Sequence, residues 1–228
     1  MPNPSSPDKS GQKRKVFLVD DHPLVREWLT NLINQQADLT VCGEAESRPQ
    51  AIQRIAELKP DVAIVDIALK GSSGLELIKD ITEICPGLSV LVLSMHDESH
   101  YAERALRAGA RGYIMKRENT RNVIVAIRRI IEGQLYLSNA IATTMAARLV
   151  GAEPPGASSP IEQLSDRELE VFQMLGQGRG TRQISQDLGL SLKTVQAYCA
   201  RIKEKLNLKS ASELLREALR WNEQSRQA

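Results

Sequence analysis

Val16-Phe17-Leu18-Val19-Asp20-Asp21 is an apolar run of strand length that ends in two adjacent carboxylates. Two acids side by side repel, so a fold that brings them together at a strand end has a cation waiting for them. Four more apolar runs follow, at Leu39–Cys42, Val62–Val65, Val90–Leu93 and Gly112–Met115. Continuous rather than alternating Val, Ile and Leu marks strands buried on both faces, hence a parallel sheet. Helical patterns separate the runs. One follows Pro23, with Leu24, Trp28, Leu29, Leu32 and Ile33 on one face. The others are Gln50–Leu58 before Lys59-Pro60, Leu75–Ile84 before Pro86, Ser99–Ala108 closed by Gly109, and Thr120–Glu132 closed by Gly133. Five βα units in a row predict a doubly wound α/β domain built on a five-stranded parallel sheet.

A chain of 228 residues has room for two domains. Hydrophobic content is 42% but aromatics only 4%, so Leu, Ile, Val and Ala must form the cores. Cys42, Cys85 and Cys199 are scattered and odd in number, which suits no metal site and no disulfide framework and favours a reducing compartment. No apolar h-region follows Met1 and no apolar run reaches the ~18 residues of a membrane span. The expectation is a soluble cytoplasmic protein without a membrane partner. Net charge sums to +3 over residues 1–15, −3 over 16–160 and +2 over 161–228. That imbalance is too weak to establish a nucleic-acid partner. Residues 1–14 have nothing to bury and read as a disordered tail. Its Lys13 and Arg14, with Lys15, either touch a phosphate or keep the tail soluble.

In doubly wound sheets the site lies at the carboxyl ends of the strands. Here the first strand ends in Asp20-Asp21, the third in Asp66, the fourth in Ser94 and the fifth in Lys116. A lone strand-end Asp is an ordinary turn residue; four polar strand ends on one edge form a constellation. Asp21 and Asp66 have the character to hold Mg²⁺, a hard cation that takes oxygen ligands. Asp66 can then act as a nucleophile toward a phosphoryl group. Lys116 supplies a fixed positive charge for its oxygens, and Ser94 a hydroxyl.

Asp20-Asp21-His22-Pro23, Asp66 with Gly74 after it, Leu93-Ser94, and Ala108-Gly109-Ala110-Arg111-Gly112-Tyr113-Ile114-Met115-Lys116 resemble the receiver domain of two-component response regulators. The resemblance spans residues 15–133 and implies a flavodoxin-like fold. It implies that Asp66 accepts phosphate from a sensor histidine kinase. It also implies that Asp20, Asp21, Asp66 and the Ala68 carbonyl carry the metal, and that Ser94 and Tyr113 form a switch pair, the hydroxyl moving to the phosphate and the ring following inward. One stretch departs from the pattern. The family often has Met-Pro after the acceptor Asp, and this chain has Leu69-Lys70. The loop loses rigidity and gains a charge, which puts an ordinary phosphate lifetime or metal affinity in doubt.

Residues 134–160 read as a helix, Asn139–Leu149 with Ser138 as N-cap, and a flexible Pro, Gly and Ser-rich linker over 151–160. A second domain occupies 161–228. Ser165-Asp166-Arg167-Glu168 is a capping-box start. Thr181–Leu188 and Leu192–Leu206 flank the turn Gly189-Leu190-Ser191, and Ser210 caps a last helix through Trp221, which together suggest a helix-turn-helix unit. Leu164-Ser165-Asp166-Arg167-Glu168, Ile184–Leu188, Ser191–Gln196 and Ile202–Leu206 resemble the LuxR/NarL-type DNA-binding domain. On 192–206, Val195, Cys199, Ile202 and Leu206 share one face and should be core, while Lys193, Gln196, Ala197, Ala200 and Lys203 lie opposite. Gln can pair with adenine and an Ala methyl can meet thymine. Lys193, Arg201, Lys203 and Lys205 are cast as phosphate contacts, and Thr194 belongs to the same DNA-binding set. Lys and His commonly stand where this chain has Gln196 and Tyr198, so a shallower salt dependence is expected. Tyr198 either reaches a phosphate or fills the core edge; Cys199 is a redox sensor or a buried thiol. The last helix carries the stripe Ala211, Leu214, Leu215, Ala218 and Leu219, a candidate homodimer face or simply core.

The expected function is a phosphorylation-controlled transcriptional regulator of double-stranded DNA, not an enzyme. Two other classes remain. A Mg²⁺-dependent phosphatase or phosphotransferase would need a substrate pocket that the short βα loops do not provide. A DNA-binding protein with a receiver that ignores phosphate is opposed by the intact Asp20, Asp21, Asp66, Ser94 and Lys116 set.

Overall fold

A computed structural model describes residues 13–150 and 160–227. Of the expected tail, residues 1–12, and of the expected linker, residues 151–159, lie outside the described residues. The first domain alternates strand and helix: β1 (Arg14–Val19), α1 (Pro23–Asn34), β2 (Leu39–Ala45), α2 (Arg48–Leu58) and β3 (Val62–Val65). A hairpin of two short strands, β4 (Ala68–Leu69) and β5 (Ser72–Ser73), leads into α3 (Gly74–Ile84). Then come β6 (Ser89–Ser94), α4 (Glu98–Ala108), β7 (Gly112–Met115) and α5 (Thr120–Ile131). The main sheet is parallel throughout, in the order β2-β1-β3-β6-β7. The order reverses between β1 and β3, which makes their carboxyl ends the switch point where such sheets hold ligands.

Alternation along each strand sends neighbouring side chains to opposite faces. Val16 and Leu18 join Ile64, Leu91, Leu93 and Ile114 in a core with Leu29 and Ile33 of α1 and Val123 and Ile127 of α5. Phe17 and Val19 join Ala63, Val65, Val90 and Val92 in a second core with α2, α3 and α4. That second core continues without a break into the C-terminal domain, through Ile161, Leu164 and Leu169.

Several features differ from expectation. Arg14 belongs to β1 rather than to the tail, because its N–H donates to the Asp38 carbonyl at 2.8 Å. Residues 134–149 lie on the first domain. Tyr136 bridges Gly112, its carbonyl accepting from Tyr113 N–H at 2.9 Å, and so covers the open edge of β7. The helix α6 (Asn139–Leu149) then packs on α4. The short hairpin β4–β5 had no sequence signature at all.

The C-terminal domain is helical. A 3₁₀ turn, Pro160–Gln163, precedes α7 (Asp166–Gly176), α8 (Thr181–Asp187), α9 (Leu192–Lys205) and α10 (Ala211–Gln227). The capping box forms in full: Ser165 Oγ accepts the Glu168 N–H, and Glu168 Oε2 accepts the Ser165 N–H. Gly176 packs against α10 so closely that a Cβ there would meet the Ala218 carbonyl oxygen at 2.3 Å. α10 runs past Trp221 because that side chain is itself core, tilted against Phe172 at 5.6 Å. Among the described residues no helix is long and apolar enough to cross a membrane.

Gly74 starts α3 directly under the end of β3. Its N–H donates to the Ile67 carbonyl, and a Cβ would stand 2.0 Å from the Asp66 carbonyl oxygen, a contact with backbone that cannot swing away. Gly74→Ala is expected to lower the unfolding free energy by about 1–3 kcal/mol, as overpacking does. Urea titration of both chains checks it.

Candidate functional site

The backbone ladder continues one residue past the strand ends and thereby places the polar groups. Asp66 N–H donates to the Val19 carbonyl at 2.9 Å, Asp20 N–H to Ala45 at 3.2 Å and Lys116 N–H to Ser94 at 2.7 Å. The side chains then converge. Lys116 Nζ lies 2.6 Å from Asp20 Oδ2 and 2.6 Å from Asp66 Oδ2, with all three side chains under a tenth exposed. Burial pushes the Asp66 carboxyl above its ordinary range; Asp20 adds to this, while Lys116 and the Ser94 hydroxyl oppose it. Burial pulls the Lys116 ammonium down, but Asp66 and Asp20 together outweigh it and leave it above its ordinary value. The lysine therefore stays charged, as its position between two acids requires.

Asp21 and His22 complete the cluster. His22 N–H donates to Asp20 Oδ1 at 2.8 Å, and its Nδ1 stands 2.8 Å from Asp21 Oδ1. Asp21 Oδ1 is closed to solvent and receives no aligned hydrogen bond. Ligand atoms of Asp20, Asp21, His22 and Asp66 all lie within 4.8 Å of one another. Three carboxylates with an unsatisfied oxygen suit a hard divalent cation. Ala68 opens the hairpin and donates its N–H to Asp66 Oδ1 at 3.4 Å. Ser94 is fully buried, its hydroxyl accepting the His96 N–H at 3.3 Å. The Tyr113 hydroxyl donates to the His96 carbonyl at 2.9 Å. Its ring is buried.

On α9 the two predicted faces separate. Val195 and Ile202 are buried, and Cys199 and Leu206 pack half-buried against that core. Lys193, Gln196, Ala197, Ala200 and Arg201 are exposed; Thr194 and Lys203 are half-buried. Thr194 N–H caps onto Ser191 Oγ at 3.0 Å. Tyr198 packs at the core edge beneath the Arg201 guanidinium. Burial pushes the Cys199 thiol up, away from the reactive thiolate. Lys205 is drawn out of the set: its ammonium lies 2.6 Å from Glu168 Oε2 and donates to the Gln163 carbonyl, tying α9 to the start of α7. Of the α10 stripe, Leu214 and Ala218 are buried, while Leu215 and Leu219 remain exposed.

The two domains also meet, a contact that the sequence reading did not anticipate. Lys79 of α3 and Arg104 of α4 both reach Asp166, the first residue of α7, at 3.2 and 3.1 Å. Arg104 also donates to the Leu164 carbonyl at 2.7 Å. The buried Tyr101 donates its hydroxyl to Gln173 at 3.1 Å, and the His100 ring faces Trp221 at 4.5 Å. Gly71, in the hairpin after Asp66, donates its N–H to the Leu188 carbonyl at 2.8 Å. Charged residues on helix surfaces read locally as solvated.

A switch-point acid cluster joined to a helix-turn-helix is the architecture of a DNA-binding regulator governed by a receiver. Residues 16–128 match the response regulator receiver domain, and residues 162–218 match the bacterial regulatory proteins of the luxR family. The chain therefore belongs to the LuxR-family response regulators of two-component systems, a family of transcription regulators rather than enzymes. It is 35% identical over 211 residues to the oxygen regulatory protein NreC of Staphylococcus epidermidis, covering 90% of this chain and 97% of that one. Among solved structures, a LuxR-family response regulator from an Aurantimonas species is 32% identical, over 61% of this chain and 99% of that one, with a TM-score of 0.57. RcsB from Salmonella enterica, bound to promoter rprA, shares the fold at 24% identity and a TM-score of 0.60, over 90% and 98% of the two chains.

Glu170 of α7 lies in the interface, 4% exposed and paired with Arg167 at 2.6 Å. Burial pushes its carboxyl up to about 6 against the pull of Arg167, with Asp66 and Glu76 of the receiver adding to the rise. A raised folded-state value means that the folded chain holds the proton more tightly than the unfolded one. Stability from this group is therefore present at low pH and lost as pH rises through about 6. Glu170→Gln removes the titration. Wild type should gain about 1 kcal/mol of stability relative to the variant from pH 7 to pH 5, read by urea unfolding.

Proposed function

We propose that Asp66 accepts a phosphoryl group from a phosphohistidine of a sensor kinase, and that this changes domain arrangement or pairing and so promoter binding. The observation that carries the reading is the Lys116 ammonium held 2.6 Å from both Asp20 and Asp66 on a sealed sheet edge. A carboxylate oxygen of Asp66 attacks phosphorus while the phosphorus–nitrogen bond breaks. The kinase imidazole leaves with the electron pair and takes up a proton. Lys116 then pairs with the phosphoryl oxygens, and the Ser94 hydroxyl donates to one of them. Asp20, Asp21, Asp66 and the Ala68 carbonyl would hold Mg²⁺, which when bound offsets the negative charge gathered there. Tyr113 stays inward over the moved hydroxyl.

The C-terminal domain reads double-stranded DNA with the exposed face of α9. Gln196, Ala197 and Ala200 are offered to base edges, and Lys193, Thr194, Arg201 and Lys203 to phosphates. Exposed Leu215 and Leu219 on α10 are offered to a second copy, since paired helix-turn-helix modules read symmetric half-sites. The three cysteines are free, in keeping with a cytoplasmic setting.

Intact mass and sizing with Mg²⁺ and acetyl phosphate test the switch. Wild type should gain one phosphoryl mass and shift toward dimer, and Asp66→Asn should do neither. Wild type without a mass gain would sink the phosphoacceptor role. For the DNA face, Lys193→Ala and Arg201→Ala should each reduce the salt slope of duplex binding by about 1. Lys205→Ala should leave the slope unchanged while lowering stability, because its charge is engaged with Glu168.

A further inference from the structure

We infer that Tyr198 is a positioning residue for DNA binding: its ring holds the Arg201 guanidinium in place, so that Arg201 meets a backbone phosphate already oriented. The inference rests on α9 as the DNA-reading helix and adds how one of its contacts is prepared. Tyr198 and Arg201 stand three residues apart, which puts them on one side of the helix. Tyr198 is half-buried and packs against the core, so its ring is fixed from below. The Arg201 guanidinium lies over that ring, 5.7 Å from its centroid, within reach of a cation–π attraction. Arg201 is itself exposed.

Other cations of the C-terminal domain are engaged differently. Arg167 is paired with Glu170 at 2.6 Å, Arg179 with Asp187 at 2.7 Å and Lys205 with Glu168 at 2.6 Å. An acid partner occupies the N–H donors that a phosphate would need. Arg201 forms no ion pair among the described residues; its contact is with the Tyr198 ring. A stacked ring engages only the flat face of a guanidinium. The N–H edge stays open for a bidentate pair with two phosphate oxygens. A free arginine loses much rotamer freedom when it is captured, and one already laid on a ring loses less. Ala197, one turn before Arg201, is small and exposed, which lets the helix approach a duplex closely. The role belongs to the ring and not to the hydroxyl, so phenylalanine would fill it.

Tyr198→Leu and Tyr198→Phe, each made in wild type and in the Arg201→Ala chain, test this in the full-length protein. Binding of a mixed-sequence duplex is followed against salt, because a phosphate contact strengthens all sequences alike. Tyr198→Leu should lower affinity about threefold, the size of an exposed cation–π contact. Its salt slope should stay unchanged, because Arg201 keeps its charge. Tyr198→Phe should bind as wild type does. In the Arg201→Ala chain, Tyr198→Leu should have no further effect. An equal loss from Tyr198→Leu in both backgrounds overturns the inference, since packing alone acts without Arg201. A Tyr198→Phe chain as weak as Tyr198→Leu also overturns it, by making the hydroxyl the contact. If urea unfolding shows that Tyr198→Leu folds poorly, Tyr198→Met takes its place and must give the same pattern. An Arg201→Ala chain with wild-type affinity and slope sinks the α9 phosphate contact itself, and the inference with it. The expected Arg201→Ala loss with no effect of Tyr198→Leu overturns the positioning role alone.

Discussion

One ammonium between two carboxylates governs the architecture of this chain. Asp20 and Asp66 leave neighbouring parallel strands and would repel across a sealed sheet edge without Lys116 at 2.6 Å from each. Unpaired buried charges cost several kcal/mol each, so the lysine is a condition for the edge to exist in this form. Its own position comes from the next strand, since its N–H extends the ladder from Ser94. Four strand ends are thus coupled through one cation. Any change in the charge of Asp66 must be felt by the segments that carry the others.

Two of the segments that leave this edge touch the second domain. The hairpin after Asp66 meets Leu188, and α4, which follows Ser94, meets Asp166, Gln173 and Trp221. The core shared by α2, α3 and α4 runs on into the C-terminal helices, while the core under α1 and α5 stays within the receiver. Among the described residues, the receiver therefore shares the core of its α2–α3–α4 face with its output domain and keeps the core under α1 and α5 to itself. Tyr136 ties the start of the interdomain segment to the backbone of Tyr113, so even the connection is registered on the strand that ends in Lys116.

Much of this was legible in the residues. Five apolar runs determined five parallel strands, of which β2, at the sheet edge, is only half-buried. The polar residues at their ends had to share an edge because parallel strands all finish on the same side. Ser165 and Glu168 announced a capping box, and the 3.6-residue period sorted α9 into a core face and an exposed face. These features depend on spacings within a single element, and a sequence displays such spacings directly.

Tertiary structure alone decided what joins one element to another. Two-residue strands carry no period, so the Ala68–Ser73 hairpin could not be seen, nor that Gly71 faces Gly189. Lys79, Arg104 and Asp166 look like ordinary solvated charges until α3, α4 and α7 are packed together. Lys205 looked like a phosphate contact on its own helix; Glu168, 37 residues earlier in the chain, claims it instead. The sequence by itself determined which residues stand at the acid edge and on the reading face. Only the folded chain settled that the edge and the turn launching α9 touch, because contacts between distant surface residues leave no local periodicity to read.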